Sequence, residues 1–106
     1  MNLTFLSLSI MVKIMTYRTT HQILADVLTI TSESDRNGVA VTTLCHKSNL
    51  SHGRLKSYLG SLTSSGLMNE IEYDGKNTFI ITGKGKLYLE EYKRFSDIAD
   101  SFGLEL

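Results

Sequence analysis

The stretch from residue 39 to residue 69 has a charge pattern that could bind a polyanion. It contains no Asp or Glu, whereas its basic and imidazole side chains are His46, Lys47, His52, Arg54 and Lys56. Lysine and arginine neutralise phosphates, and the glycine and serine residues among them let a backbone come close to a ligand. Such a patch is the electrostatic footprint of a nucleic-acid-binding surface. The alternative is an ordinary solvated surface that happens to carry three cations.

We expect no catalytic or metal site beside these cations. The chain has no dinucleotide-binding, metalloprotease or nucleophile-elbow motif, and the GKGK stretch at residues 83–86 lacks the upstream glycine and the following Ser or Thr of a P-loop. Cys45 and His46 are adjacent, so their side chains would point about 100° apart on a helix. A role of His46 or His52 as a metal or pH sensor lacks a second ligand. The sequence therefore predicts a protein that is not an enzyme and that has no cofactor, no metal and no identifiable small-molecule ligand.

The spacing of apolar residues places the cations on helices. Leu55, Leu59 and Leu62 recur at i, i+4 and i+7, which is the period of one buried helix face. Ser51 stands where a helix N-cap belongs, and Gly66 stands where a left-handed residue would end the helix. The sequence therefore predicts a helix that turns its leucines inward and its cations outward.

A shorter helix is expected just before this one. Thr42 or Thr43 can cap it, Leu44 would be buried in it, and Asn49 would end it. Two helices joined by a short polar turn form a helix-turn-helix, whose second helix enters the major groove of DNA. The candidate DNA contacts on this pair are Thr43, Lys47, Ser51, His52, Gly53, Arg54, Lys56 and Ser57.

A β-hairpin follows the helix pair and completes a winged fold. Asp74-Gly75 is a strong signal for a two-residue turn between alternating strands, and residues 39–41 can add a short third strand. Lys76 lies at the tip, where a wing can touch phosphate or the minor groove, although the tip could also be only a soluble turn. The predicted fold class is mainly α with a small β-hairpin (α+β), in the order helix-helix-helix-strand-strand-helix.

The last helix, expected over residues 83–101 with Thr82 as its cap, carries a possible dimer seam. Its seam residues recur with a heptad-like spacing and are Tyr88, Tyr92, Phe95, Ala99 and Phe102. Because DNA half-sites usually require a dimer, we expect this seam to join two copies. The alternative is packing within one chain on the first helix, which is expected over residues 17–32 with Thr19 or Thr20 as its cap.

The chain as a whole has the size and charge of one balanced domain. It has 106 residues, with 11 basic and 11 acidic side chains, so it does not coat DNA by bulk charge. Its lone cysteine, Cys45, suggests a reducing and cytoplasmic setting. Residues 1–15 are apolar but lack the features of a signal peptide and are shorter than the about 20 residues of a membrane span. They could pack on the domain or a partner subunit, precede a later start codon, or form a weak membrane anchor.

Four short motifs together resemble a known family. They are N-L-S at residues 49–51, L-K-x-Y-L at 55–59, G-L at 66–67 and T-x-K-G-x-x-Y-L-x-x-Y at 82–92. They resemble small archaeal winged helix-turn-helix proteins, predicted transcriptional regulators distantly similar to the MarR and ArsR classes. The resemblance covers about residues 17–95. It implies sequence-dependent DNA binding through a helix that begins at Ser51, a wing tip at Gly75, and often a dimer through the last helix.

Taken together, these patterns predict a cytoplasmic, homodimeric transcriptional regulator that binds double-stranded DNA and does not bind a membrane. The expected organisation is an apolar extension at residues 1–16, a winged helix-turn-helix core at 17–82 and a C-terminal helix at 83–106. The alternative is a winged helix used only for protein–protein association, which the zero net charge and the apolar N-terminus would suit.

Overall fold

The computed structural model describes residues 18–104, so the predicted apolar extension at residues 1–16 lies outside the described part. The elements are α1 (Thr20–Ser32), β1 (Val39–Ala40), α2 (Val41–Ser48), α3 (His52–Ser64), β2 (Met68–Tyr73), β3 (Lys76–Ile81) and α4 (Gly83–Ser101). The predicted order of helices and hairpin strands is confirmed, and the short extra strand expected before α2 is present.

Three helices begin at hydroxyl caps that the sequence predicted. Thr19 accepts a hydrogen bond from the Gln22 amide at 3.1 Å, and the Gln22 side chain accepts one from the Thr19 amide at 2.9 Å, which makes a capping box. Ser51 accepts from the Arg54 amide at 3.3 Å at the start of α3. Thr82 accepts from the Gly85 amide at the start of α4, so this helix begins directly after the last strand.

The cap predicted for α2 is wrong. The N-cap of α2 is Ala40, which offers no side-chain bond, and Thr42 and Thr43 lie inside the first turn. The reason is that Ala40 is also the last residue of β1, so the chain passes from strand to helix with no linker residue to serve as a hydroxyl cap. The predicted end is confirmed, because Asn49 adopts the left-handed conformation with φ of 57°.

The three strands form one antiparallel sheet in the order β1-β3-β2. The hairpin turn is the predicted Asp74-Gly75, and both residues have positive φ, at 54° and 74°, as two-residue hairpin turns favour. The expected alternation along β3 fails, because Thr78 and Phe79 are both buried. The loop before β1 covers the side chain of Thr78, whose hydroxyl donates to the Asn37 carbonyl in that loop at 2.6 Å.

The core lies where the four helices meet the sheet. Leu55, Leu59 and Leu62 of α3 are buried as predicted, together with Leu44 of α2 and Leu50 of the turn. Each fully buried leucine contributes about 2 kcal/mol of hydrophobic stabilisation. The burial of one stripe therefore fixes which face of α3 remains exposed.

The first turn of α4 meets the α3–β2 turn at unusually short range. A Cβ atom added at Gly85 would overlap the Leu67 carbonyl oxygen and would lie 2.8 Å from Cγ1 of Ile81. Gly85 is also buried. Only glycine permits this approach, so Gly85 determines how closely α4 can follow the end of α3.

We predict that Gly85→Ala lowers the free energy of unfolding by about 2 kcal/mol, because backbone atoms must move apart and the gain in helix propensity offsets only part of that cost. The matched control is Gly83→Ala on the same turn, where an added Cβ meets nothing within 4 Å. Urea unfolding followed by circular dichroism measures both variants. Equal stabilities for the two variants would contradict this account of the junction.

Candidate nucleic-acid interface

The outer face of α3 is exposed along the positions that the sequence singled out. His52, Gly53, Arg54, Lys56 and Ser57 are all exposed, while the leucine stripe on the opposite side is buried. Apart from its chain neighbours and the adjoining backbone of α3, no atom lies within 4 Å of the position that a Cβ at Gly53 would take. This half of α3 therefore presents cations, a hydroxyl and bare backbone on one open surface.

The shorter helix adds two more exposed polar groups to this surface. Thr43 and Lys47 of α2 are exposed, and Ser48, one residue further on, is buried. Ser51 is exposed too, but its hydroxyl is engaged as the cap of α3. Of the predicted contacts on the helix pair, Ser51 is thus the one with a clear structural role.

The cations of the helix pair have no carboxylate partner within residues 18–104. The ion pairs found in that part join Arg18 to Asp26 and Arg94 to Glu90 and Glu91. Lys47, Arg54 and Lys56 are not among them. Within the described chain no ion pair therefore competes with a phosphate for these three cations.

A shallow groove of about 380 Å³ separates α3 from the sheet. Its lining residues are Val41, His52, Lys56, Leu59, Gly60, Thr63, Glu70 and Phe79. Glu70 places a carboxylate in the groove that Lys56 and His52 also line, and sequence reasoning did not select it. The sequence did contain a signal for this position. Met68, Glu70 and Glu72 are spaced two residues apart, so they lie on one face of a strand.

The wing itself is more acidic than basic. Lys76 is exposed and pairs across the hairpin with Tyr73, next to the turn. Lys76 is the hairpin's one cation, whereas Glu70, Glu72 and Asp74 supply three carboxylates. The structure thus brings Lys76 to the tip but surrounds it with acidic side chains.

The predicted seam on α4 divides into two parts. Tyr88 and Tyr92 are half-buried against the core, and Ala99 is buried. Burial raises the pKa of Tyr92, and the nearby carboxylate of Asp26 on α1 raises that pKa further. The first half of the seam therefore packs within the chain, on α1.

The other seam residues are open to solvent, at 57% exposure for Phe95 and 77% for Phe102. Leu87 and Ile98 are also exposed, at 58% and 50%. Together, Leu87, Phe95, Ile98 and Phe102 form what we call the α4 apolar stripe. It lies on one side of the helix, rotated away from Tyr88 and Tyr92.

The described part of the chain offers neither a metal cluster nor a membrane-spanning helix. Between residues 18 and 104 no group of three or more His, Cys, Asp or Glu side chains could hold a metal ion. No helix there is both long enough and apolar enough to span a bilayer.

The chain is similar in fold to solved structures that include one protein from Sulfolobus solfataricus and one from E. coli. The DNA-binding protein Sso10a-2 from Sulfolobus solfataricus is 22% identical and superposes with a TM-score of 0.62, covering 81% of this chain and 90% of its own. A predicted DNA-binding transcriptional regulator from E. coli is 15% identical, with a TM-score of 0.56 and coverage of 88% and 93%. At these identities the likeness concerns the fold alone.

Sequence comparison gives the family directly. No curated protein sequence matches the chain. The family model described as "Winged helix-turn-helix" matches residues 17–100, which include every element from α1 to nearly the end of α4. The chain therefore belongs to the winged helix-turn-helix family.

Proposed function

We propose that this protein is a DNA-binding transcriptional regulator that places α3 in the major groove. The observation that carries the proposal is the exposed outer face of α3, whose cations have no carboxylate partner in the part of the chain described. An α-helix fits the major groove of B-DNA, and small residues on its outer face allow close approach.

The proposed contacts divide by chemistry. Ser57 and Gly53 lie opposite the buried leucines, and Lys56 lies on the flank of α3 beside the groove. These three would face base edges, where lysine can bind the acceptors of guanine. The groups at the margins of the surface would hold phosphates, and these are Thr43, Lys47, His52 and Arg54. Lys76 would reach a phosphate from the wing tip, and Ser51 would orient α3 through its cap.

Two further observations support a regulator of this kind. Both solved structures named above are described as DNA-binding, and the motifs at residues 49–92 resemble archaeal regulators related to the MarR and ArsR classes. A cytoplasmic setting fits a protein that acts on DNA. We infer an activity based on binding rather than catalysis.

We predict that Arg54→Glu/Lys56→Glu abolishes binding to a labelled random-sequence duplex without unfolding the protein. With about four phosphate contacts, wild-type affinity should fall about a hundredfold between 50 and 200 mM salt. Fluorescence anisotropy measures both effects. The matched control is Arg36→Glu/Lys93→Glu, which reverses two exposed cations outside α2 and α3 and should bind more like wild type.

Equal losses in the two double variants would mean that only total charge matters and would contradict the placement on α3. A folded wild type that binds no duplex even at low salt would favour the second candidate, a module for protein association. The α4 apolar stripe is the observation that favours this second candidate.

We predict that Glu70→Gln raises affinity for random-sequence duplex about fivefold at low salt. Its carboxylate shares the groove with Lys56 and would repel phosphates near α3, at a cost of about 1 kcal/mol for two charges at contact range in water. Asp97→Asn removes an exposed carboxylate from α4 and should change little. Weaker binding by Glu70→Gln would instead mean that the carboxylate orients Lys56 for contact.

We also propose that the protein is a homodimer joined through α4. The seam predicted from sequence comprises Tyr88, Tyr92, Phe95, Ala99 and Phe102, and the exposed surface available to a partner is centred on the α4 apolar stripe. Exposed apolar side chains arranged along one helix gain hydrophobic stabilisation when a second copy covers them. The dimer would place two α3 helices at a fixed separation for two half-sites.

We predict that Ile98→Glu/Phe102→Glu converts the dimer to a monomer, because two carboxylates would be buried without partners. Light scattering coupled to size-exclusion chromatography measures the mass. Lys93→Glu adds an exposed carboxylate to the side of α4 opposite the stripe and should remain dimeric. A wild type that is monomeric at high concentration would contradict the dimer.

A further inference from the structure

At the C-terminal end of each helix of the helix-turn-helix, a backbone carbonyl accepts a hydrogen bond from a cation in another part of the chain. Nη2 of Arg18, which precedes α1, donates to the Ser48 carbonyl at the end of α2 at 2.8 Å. Nζ of Lys84 on α4 donates to the Ser65 carbonyl at the end of α3 at 2.9 Å. The last carbonyls of a helix carry partial negative charge and lack partners within the helix, so each cation stabilises the end it contacts.

Lys84 occupies a position that its own helix does not favour. It lies in the first turn of α4, where the helix dipole disfavours a cation. The bond to Ser65 places its charge at the negative end of α3 instead. Its side chain also covers the left-handed Gly66, since its Cδ and Nζ atoms lie 3.8 Å from the position of a Cβ there.

Two neighbouring carbonyls of the same turn are also held by the start of α4. The Thr82 hydroxyl donates to the Gly66 carbonyl at 2.7 Å, and the Thr82 amide donates to the Leu67 carbonyl at 3.1 Å. Three successive carbonyls, from Ser65 to Leu67, are thus bound by residues 82–84. Of these three bonds, only the one from Lys84 is made to Ser65, the C-cap residue of α3.

We propose that Lys84 is a positioning residue that fixes the angle of α3 relative to α4 and so determines how well α3 discriminates between DNA sequences. This inference rests on the proposed function. The proposed base contacts lie near the start of α3, about 15 Å along the helix axis from Ser65. A small rotation at the clamped end therefore becomes a displacement at the reading end.

Base recognition should suffer more than phosphate binding from such a displacement. Hydrogen bonds to base edges require fixed geometry, whereas flexible lysine and arginine side chains follow a phosphate over a larger distance. Loss of Lys84 should accordingly reduce the ratio of specific to non-specific affinity. It should leave the number of phosphate contacts unchanged.

The test compares Lys84→Gln with Lys84→Arg and with Lys86→Gln. Lys86 is the matched control, because it lies two residues further along α4 and lines a different cleft, with Asp35 and Arg36. A specific duplex is first selected from a random library with wild-type protein. Anisotropy then gives the affinity for the selected and random duplexes and the salt dependence of each.

For Lys84→Gln we expect the ratio of specific to non-specific affinity to fall about three- to tenfold. This is the low end of the effect of losing a charged hydrogen bond, because the bond from Lys84 is solvent-exposed. The salt dependence on random duplex should stay that of wild type, Lys84→Arg should restore the ratio, and Lys86→Gln should match wild type. An unchanged ratio in Lys84→Gln would overturn the proposal. The proposal would also be overturned if the slope of log affinity against log salt concentration were smaller by about one, because Lys84 would then be a phosphate contact.

Amide hydrogen exchange in the free protein tests the clamp without DNA. In Lys84→Gln the amides of Ser65, Gly66 and Leu67, which close the last turn of α3, should exchange faster than in Lys86→Gln. Equal exchange in the two variants would overturn the clamp. If wild type bound no DNA, the proposed function would fail, and faster exchange in Lys84→Gln would still support the contact that Lys84 makes with α3.

Discussion

Burial of Leu55, Leu59 and Leu62 is the constraint on which the rest of this structure depends. These three side chains fix the rotation of α3 about its axis, since turning the helix would expose apolar surface at a cost of several kcal/mol. Once that rotation is fixed, the opposite face must be the one that carries Gly53 and Ser57, with Arg54 and Lys56 on its two flanks. The exposed basic surface is therefore a consequence of core packing, and the same leucines that stabilise the domain aim its cations outward.

Charge in this protein is separated rather than abundant. The formal net charge is zero, but α2 and α3 carry only cations, while the wing and α4 carry most of the carboxylates. If the protein binds DNA as proposed, such a distribution limits non-specific attraction and confines it to one face, so that specificity depends on orientation. In our proposal, orientation in turn depends on the ends of the helices. Arg18 and Lys84 bind those ends from outside the pair.

Local signals in the sequence predicted most of the fold, and the failures have identifiable causes. Leucine spacing, hydroxyl caps and the Asp-Gly turn are each encoded within a few residues, so α3, α4 and the hairpin could be predicted from them. The cap of α2 could not, because it depends on a strand that runs directly into the helix. Period-two spacing could place Glu70 on the strand face of Met68, but its position beside Lys56 and the contact of Lys84 with Ser65 could not be predicted, since only the tertiary fold brings these distant residues together. The heptad-like spacing of Tyr88 and Tyr92 is compatible both with a dimer seam and with packing inside the chain, and the structure shows that both side chains are partly buried against the core.

The most direct test of the central claim is an NMR titration of ¹⁵N-labelled protein with a random-sequence duplex at low salt. If DNA lies on the helix pair, the largest amide shifts should map to the end of α2, the turn and the first half of α3, and the C-terminal half of α4 should be unaffected. Shifts confined to the α4 apolar stripe, or spread evenly over exposed cations such as Arg36 and Lys93, would contradict the account.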